Sequence, residues 1–208
     1  MKQNISKAVI KRLPRYYRYL GELLDAGITR ISSEELSKIM KVTASQIRQD
    51  LNNFGGFGHQ GYGYNVETLK DEIAVILGLK SPHNLIIVGG GNLGRAIAGY
   101  PKFGNRGFIV KAIFDNDKSV IGSRVGDIET YSVDSLENIV PTLDIDIAVL
   151  TMPKEHAAET AERLYKLGIK AFWNFAHTDL QLPGDAFCEN VHLSDSLMQL
   201  SYRLKNSL

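Results

Sequence analysis

Between Ile86 and Tyr100 the chain reads IIVGGGNLGRAIAGY, and inside it Gly89-Gly90-Gly91-Asn92-Leu93-Gly94 has the spacing G-x-G-x-x-G. Each glycine of that pattern answers a different demand. Gly89 permits a sharp turn, Gly91 lets a pyrophosphate come close to the backbone, and Gly94 allows a helix to pack on a strand. Amides at the start of that helix, at Asn92 and Leu93, then face the phosphates. The motif alone is weak, but its context is present: residues His83 to Gly89 form an apolar strand before it. A second strand, Phe108 to Phe114, leads to Asp115, 21 residues after Gly94. An acid there accepts both ribose hydroxyls of an adenosine and repels an added 2'-phosphate, which predicts NAD+ or NADH as the ligand. Asp115-Asn116-Asp117 also suits an ordinary turn.

The elements around this cradle alternate as a doubly wound parallel sheet requires. A helix from Ser132 to Thr142 precedes a strand from Ile145 to Thr151, and a helix from Glu155 to Leu167 precedes a strand from Ile169 to Phe175. Thr151, Met152 and Pro153 then end their strand beside the crevice, and Asn174 reaches it from the next one. Hydride transfer would need a substrate pocket with a placed acid or base. About 30 residues follow Phe175, and neither His156 nor His177 has an identifiable partner. No metal-ligand spacing is present, so no catalytic residue is assigned.

Ahead of the cradle stand about 80 residues of different character. Leu13, Tyr17, Leu20 and Leu24 predict a first helix, with Pro14 near its start and Gly27 as its stop. Ser32 caps a second helix with Glu35 reaching back, burying Leu36, Ile39 and Met40. Thr43 and Gln46 repeat the capping pattern and open a third, TASQIRQDLNNF, whose apolar side is Ile47, Leu51 and Phe54. Two capped helices joined by the short Lys41-Val42 turn predict a helix-turn-helix. Ser45, Gln46, Arg48 and Gln49 then lie on or beside the outward face, near the end that meets base edges in a recognition helix. A solvated face on a protein-binding module would carry the same residues.

Five glycines in the nine positions from Gly55 to Gly63 are interleaved with Phe57, His59, Gln60 and Tyr62. With the strand-like Tyr64 to Val66 they predict a hairpin wing, its tip His59-Gln60-Gly61-Tyr62 reaching toward a minor groove; a structural turn is the alternative. A helix from Glu67 to Leu77 leads to Gly78 and Ser81-Pro82 as the linker, dividing the chain into a DNA-binding domain, 1–80, and a nucleotide-binding and dimerisation domain, 81–208.

Charge agrees with that division. The net charge is +1, but residues 1–80 hold 12 Lys or Arg against 8 acids, and residues 81–208 hold 12 against 15. The first 18 residues carry six basic side chains and no acid, which suits either a phosphate-facing arm or a solvated terminus. The single cysteine, Cys188, forms no intrachain disulfide. With no apolar leader and no long apolar run, the sequence predicts a cytoplasmic chain that does not span a membrane. In the tail, Leu197, Leu200 and Leu204 form a stripe widened by Met198 and Tyr202, on a helix capped by Ser194. That stripe needs a partner, either the chain's own body or a second subunit; a homodimer suits paired half-sites.

Taken together, KRLPRYYRYLGELL, SSEELS, TASQIRQDL, FGGFGHQGYGYNV, IIVGGGNLGRAIAGY, IFDND, LTMPKEHA, NFA and the terminal helix resemble the Rex family of bacterial redox-sensing transcriptional repressors. The resemblance implies a homodimer with a winged-helix DNA-binding domain, a Rossmann domain and a terminal helix exchanged between subunits. It also implies that NADH lowers affinity for double-stranded operator DNA while NAD+ competes for the same site. Four positions depart from the family pattern. Gln49 stands where lysine is common, Gln60 where arginine is common, and His177 where a proline is usual. His192 stands where an aspartate is expected to interact with the counterparts of Arg18 and Tyr100; a histidine can bond Tyr100 but supplies no fixed negative charge to Arg18. The alternatives are a small NAD-dependent oxidoreductase with a protein-binding front domain and a nucleotide-binding scaffold that neither reads DNA nor reacts.

Overall fold

In the computed structural model, which describes residues 6–53, 58–59 and 63–206, the chain divides into two units, Met1–Ser81 and Pro82–Leu208. The first opens with α1 (Lys7–Asp25), capped by Ser6, whose Oγ accepts the Val9 amide at 3.3 Å. It continues through β1 (Arg30–Ile31), α2 (Ser33–Met40), α3 (Ala44–Asn52), β2 (Gly58–His59), β3 (Gly63–Asn65) and α4 (Val66–Ile76). β3 lies between β1 and β2 and is antiparallel to both. This helix, strand, two-helix and hairpin order is that of a winged helix-turn-helix.

Several local expectations are corrected. Pro14 is the eighth residue of α1 rather than an early one, costing the helix its bond to the Ile10 carbonyl. The helix tolerates it because Leu13, Tyr16 and Leu20 on the same side are fully buried. That buried stripe is Val9, Leu13, Tyr16, Leu20 and Leu23; Tyr17 and Leu24 pack only at its margin. At α2 the capping box is complete, Ser32 Oγ accepting the Glu35 amide at 3.1 Å and Glu35 Oε2 accepting the Ser32 amide at 2.8 Å. At α3 it is half formed. Thr43 Oγ1 accepts the Gln46 amide at 3.1 Å, but the Gln46 side chain turns away toward Asp50.

Asp50 is fully buried among the apolar residues that join α1, α2 and α3. Its carboxylate accepts Arg12 Nη2 at 2.6 Å and Nε at 2.7 Å, Tyr16 Oη at 3.0 Å and Gln46 Nε2 at 2.8 Å. Burial opposes the charge on Asp50, but the bonds from Arg12, Gln46 and Tyr16 outweigh it and hold the carboxyl below its ordinary value. Burial, together with the Asp50 charge, pushes the Tyr16 hydroxyl upward.

The second unit runs β4 (His83–Val88), α5 (Asn92–Ala98), α6 (Pro101–Gly104), β5 (Phe108–Asp115), β6 (Arg124–Val125), β7 (Ile128–Ser132), α7 (Leu136–Ile139), β8 (Ile147–Leu150), α8 (Lys154–Lys166), β9 (Ala171–Asn174), β10 (Phe187–Asn190) and α9 (Leu193–Asn206). The sheet order is β10-β9-β8-β4-β5-β7-β6, parallel except for β6. Helices cover both faces of a parallel sheet, so the central strands are continuously apolar: Leu85 to Val88, Ala112 to Phe114 and Ala148 to Leu150 are all buried. The order reverses between β4 and β8, and the crevice at their carboxyl ends is the switch point of a Rossmann-type sheet.

The helix expected from Ser132 to Thr142 is broken into a tight turn at Val133–Ser135, the single turn α7, and another tight turn at Val140–Thr142. Pro141 cannot donate to a continuous helix, and Ser132 Oγ diverts the Asp134 amide. Ser194 is not the cap of α9, which starts one residue earlier; the Asp195 amide donates to the His192 carbonyl at 3.1 Å. No residue of α9 is buried, and Leu193, Leu197, Met198, Leu200, Tyr202 and Leu204 are each more than half exposed. Among the described residues no helix is long and apolar enough to cross a membrane.

Removing one partner of a buried ion pair costs about 3 kcal/mol or more, so Arg12→Ala is expected to destabilise the first unit by that order in chemical denaturation at pH 7. The Asp50 contribution is fully present above the ordinary carboxylate pKa and is lost as pH falls through its depressed folded value. The stability gap between the native chain and Asp50→Asn should therefore narrow below about pH 4; a gap unchanged down to pH 3 would contradict the assignment.

Candidate functional site

At the carboxyl end of β4 the backbone leaves the sheet at Gly89 with φ +111°, a conformation open to glycine. The Gly89 amide donates to the Phe114 carbonyl at 2.8 Å, and the Thr151 hydroxyl donates to the Gly89 carbonyl at 2.8 Å. A Cβ at Gly89 would lie 2.7 Å from the Thr151 carbonyl, and one at Gly94 would lie 1.9 Å from the Gly89 oxygen. By contrast a Cβ at Gly91, which precedes α5, would meet nothing within 4 Å. The three glycines thus divide their roles as a strand-turn-helix cradle requires, two packed against backbone and Gly91 open.

A cavity of about 340 Å³, within the range of small-molecule sites, lies over this turn. Gly89, Gly91, Asp115, Thr151, Met152 and Pro153 line it, all expected from the sequence. Asp115 sits at the end of β5 with one carboxylate oxygen accepting the Gly90 amide and the other accepting the Asp117 amide at 2.8 Å. It is therefore fixed at the rim, with lone pairs left to accept further hydrogen bonds. Gly90 is buried beneath it, exposed Asn92 begins α5, and Leu93 packs into the core under the turn. Asn174 is buried and does not line the cavity. Its amide donates to the Thr178 carbonyl at 2.7 Å and Asn190 Oδ1 at 2.8 Å, and its oxygen accepts the Ala176 amide at 3.0 Å.

Sequence reasoning missed the far wall. Val88, Phe114 and Val133 supply apolar surface there, and Thr160 and Arg163 come from α8. Arg163 is held by Glu137, Nε to Oε1 at 2.8 Å and Nη2 to Oε2 at 2.9 Å, and donates to the Val133 carbonyl at 3.1 Å. That bond lowers the Glu137 carboxyl and raises Arg163. The signal was available in the periodicity of α8, where His156, Glu159, Thr160 and Arg163 share one face. His156 also lines the cavity, its backbone amide donating to the Pro153 carbonyl at 3.2 Å. No cluster of three or more His, Cys, Asp or Glu among the described residues could hold a metal ion.

On the first unit, Ser45, Arg48 and Gln49 are exposed on α3, and Gln46 is half-buried. Arg48 Nη1 donates to Ser33 Oγ at 2.9 Å. The backbone of His59 pairs with Gly63 in the hairpin; Gln60, Gly61 and Tyr62, like Phe54, lie outside the described residues. Of the three residues expected to act as a switch, Arg18 stacks its guanidinium 5.1 Å from the Tyr19 ring and lies 4.0 Å from Glu22. In the second unit Tyr100 is 45% exposed and meets Phe103 edge-on at 4.9 Å. His192 stacks on His177, centroids 5.9 Å apart, with Nε2 4.0 Å from Asp179 Oδ1.

Comparison with known proteins covers both units. Residues 4–52 match a family model described as a putative DNA-binding protein N-terminus, and residues 80–178 match one described as a CoA binding domain. The redox-sensing transcriptional repressor Rex of Clostridioides difficile (strain 630) is 56% identical over 203 residues, covering 98% of this chain and 97% of that protein. The chain belongs to the Rex family. A crystal structure of RSP, described as a Rex-family repressor, in complex with beta-NAD+ and operator DNA is 55% identical, with a TM-score of 0.92 over 99% of this chain and 95% of that one. RSP in complex with beta-NADH is 52% identical, with a TM-score of 0.91 over 99% and 97%.

The crowding at Gly94 in this Rex-family chain has a direct consequence. A methyl group there must displace the Gly89 backbone, so Gly94→Ala is expected to cost the second unit about 3 kcal/mol, the upper range for overpacking. Thermal melting followed by circular dichroism would register the loss; an unchanged melting temperature would contradict the packing described.

Proposed function

We propose that the protein is a transcriptional repressor that reads the NADH/NAD+ ratio: a dinucleotide occupies the cradle at Gly89 to Gly94, α3 enters the major groove of operator DNA, and NADH weakens that grip. The observation that carries this reading is the pairing, in one chain, of a winged helix with a dinucleotide cradle that matches a Rex-family repressor in complex with NAD+ and operator over 99% of its length. The residues present fit the ligand. Gly91 leaves room for a pyrophosphate, α5 presents free amides to it, Asp115 meets the ribose, and Val88, Phe114 and Val133 flank the base.

The two ligand forms differ by one charge on the nicotinamide ring, and only such a difference in affinity for two arrangements of the protein can shift it between them. The exposed apolar stripe of α9 supports a homodimer in which that helix is buried by the second subunit, with half-sites one helical turn or multiples apart. We infer that the chain acts in the cytoplasm, where both coenzyme and DNA are present. We also infer that it turns over no substrate. The oxidoreductase reading is the less favoured because the relatives are named as repressors.

Fluorescence anisotropy on a labelled duplex, selected from a random pool, tests this directly. NADH is expected to weaken binding by about tenfold or more and NAD+ to reverse that effect by competition. Identical DNA affinity with NADH, NAD+ and no nucleotide would leave a plain DNA binder.

A further inference from the structure

The buried carboxylate inside the reading helix bears on what that helix can read. Four donors converge on Asp50, two from Arg12 and one each from Tyr16 and Gln46. Of these residues only Gln46 belongs to the outward side of α3, three residues past its Thr43 cap and half-buried. Its Nε2 donates to Asp50 Oδ1 at 2.8 Å, which engages one of two amide hydrogens. An ionised Asp50 only accepts, so the amide cannot flip: the opposite orientation would set Gln46 Oε1 against the carboxylate. What remains is one acceptor and one donor on a planar group whose rotation is fixed from behind, and the two lie side by side when Asp50 takes the hydrogen that points away from Oε1. Arg12 and Tyr16 in turn anchor Asp50 to α1.

We propose that Asp50 is a positioning residue for base reading, locking the Gln46 amide so that Oε1 and the remaining N–H form an acceptor and donor pair that recognises adenine at one position of each half-site. In the major groove adenine offers N6–H as donor and N7 as acceptor, the complement of this pair. Guanine offers two acceptors, one of which would oppose Oε1. A freely rotating glutamine would present either edge; this one presents a single edge. The proposal rests on α3 being the helix that meets DNA.

Selection of full-length protein against a pool of random duplexes, followed by sequencing, tests it. The native chain is expected to prefer A·T at one pair of each half-site by about ten- to hundredfold over G·C. Gln46→Leu, which leaves Arg12 and Tyr16 on Asp50, should abolish the preference at that pair and keep the others. Asp50→Asn can donate to Gln46 Oε1 and permits the flip, so it should relax the same pair selectively. Because Asp50→Asn also weakens the fold, the native Gln46 side-chain amide is followed in parallel by nuclear magnetic resonance, where it should be as immobile as the α3 backbone before DNA is added.

A native sequence profile retained by Gln46→Leu, an equal loss on every sequence for Asp50→Asn, or a freely mobile Gln46 amide would each overturn the proposal while leaving the repressor reading intact. A native chain with no preference among duplexes would remove the DNA-reading role of α3, and the proposal with it.

Discussion

Where β4 turns into α5 against the end of β8, three stretches of backbone meet with no space for a methyl group. A side chain at Gly94 would run into the Gly89 carbonyl, and one at Gly89 into Thr151. The Thr151 hydroxyl closes the contact by donating to Gly89. This crowding fixes the path of the backbone from β4 into α5, along which Gly89 and Gly91 line the cavity. The other ligand-facing features depend on it. Asp115 is held at the rim by the Gly90 amide of the same turn, and the gap at Gly91 exists because its neighbours on either side are pinned. Anion attraction at the helix start needs those amides presented without side-chain obstruction.

The first unit solves a different problem by a different means. Of its helices α2 and α3 are short, eight and nine residues, and α3 is held in one orientation from the side of α1. A charge buried among Leu13, Leu20, Ile47 and Leu51 achieves that, since Asp50 is tolerated only while Arg12 and Tyr16 stay on it. Each unit therefore has one locally fixed edge, the Gly89 to Gly94 turn in the second and α3 in the first. Coupling between them requires a ligand that distinguishes two arrangements of the protein, and the nicotinamide charge is the chemical difference on offer.

How much of this was legible in the residues varied with how local the cause was. The cradle could be read because the spacing of its glycines within six positions, with an acid at the end of the next strand, is itself a pattern, although Thr151, which crowds Gly89, lies 62 residues further on. The capping box at Ser32 and Glu35 was equally local. Asp50 was not read, although it falls on the same helix face as Ile47, because what makes an acid tolerable there is Arg12, 38 residues earlier. The Gln46 side chain was expected at its own cap for the same reason. The cavity wall at Arg163 depends on Glu137, 26 residues away, and the segment from Val133 to Thr142 is broken by the Ser132 hydroxyl at its start and by Pro141 near its end, within an otherwise helical pattern. His192 was singled out for lacking a fixed charge, and what the structure adds is its stacking on His177.

Thermodynamic reciprocity gives the central claim its most direct test. If the nucleotide and the operator bias the same equilibrium, each must change the other's affinity by the same factor. Isothermal titration of NADH into the free protein and into protein saturated with operator duplex measures that factor from the nucleotide side. NADH is expected to bind the DNA complex more weakly than the free protein, by the factor with which NADH weakens DNA binding. Equal NADH affinity for the free and operator-bound protein would contradict it.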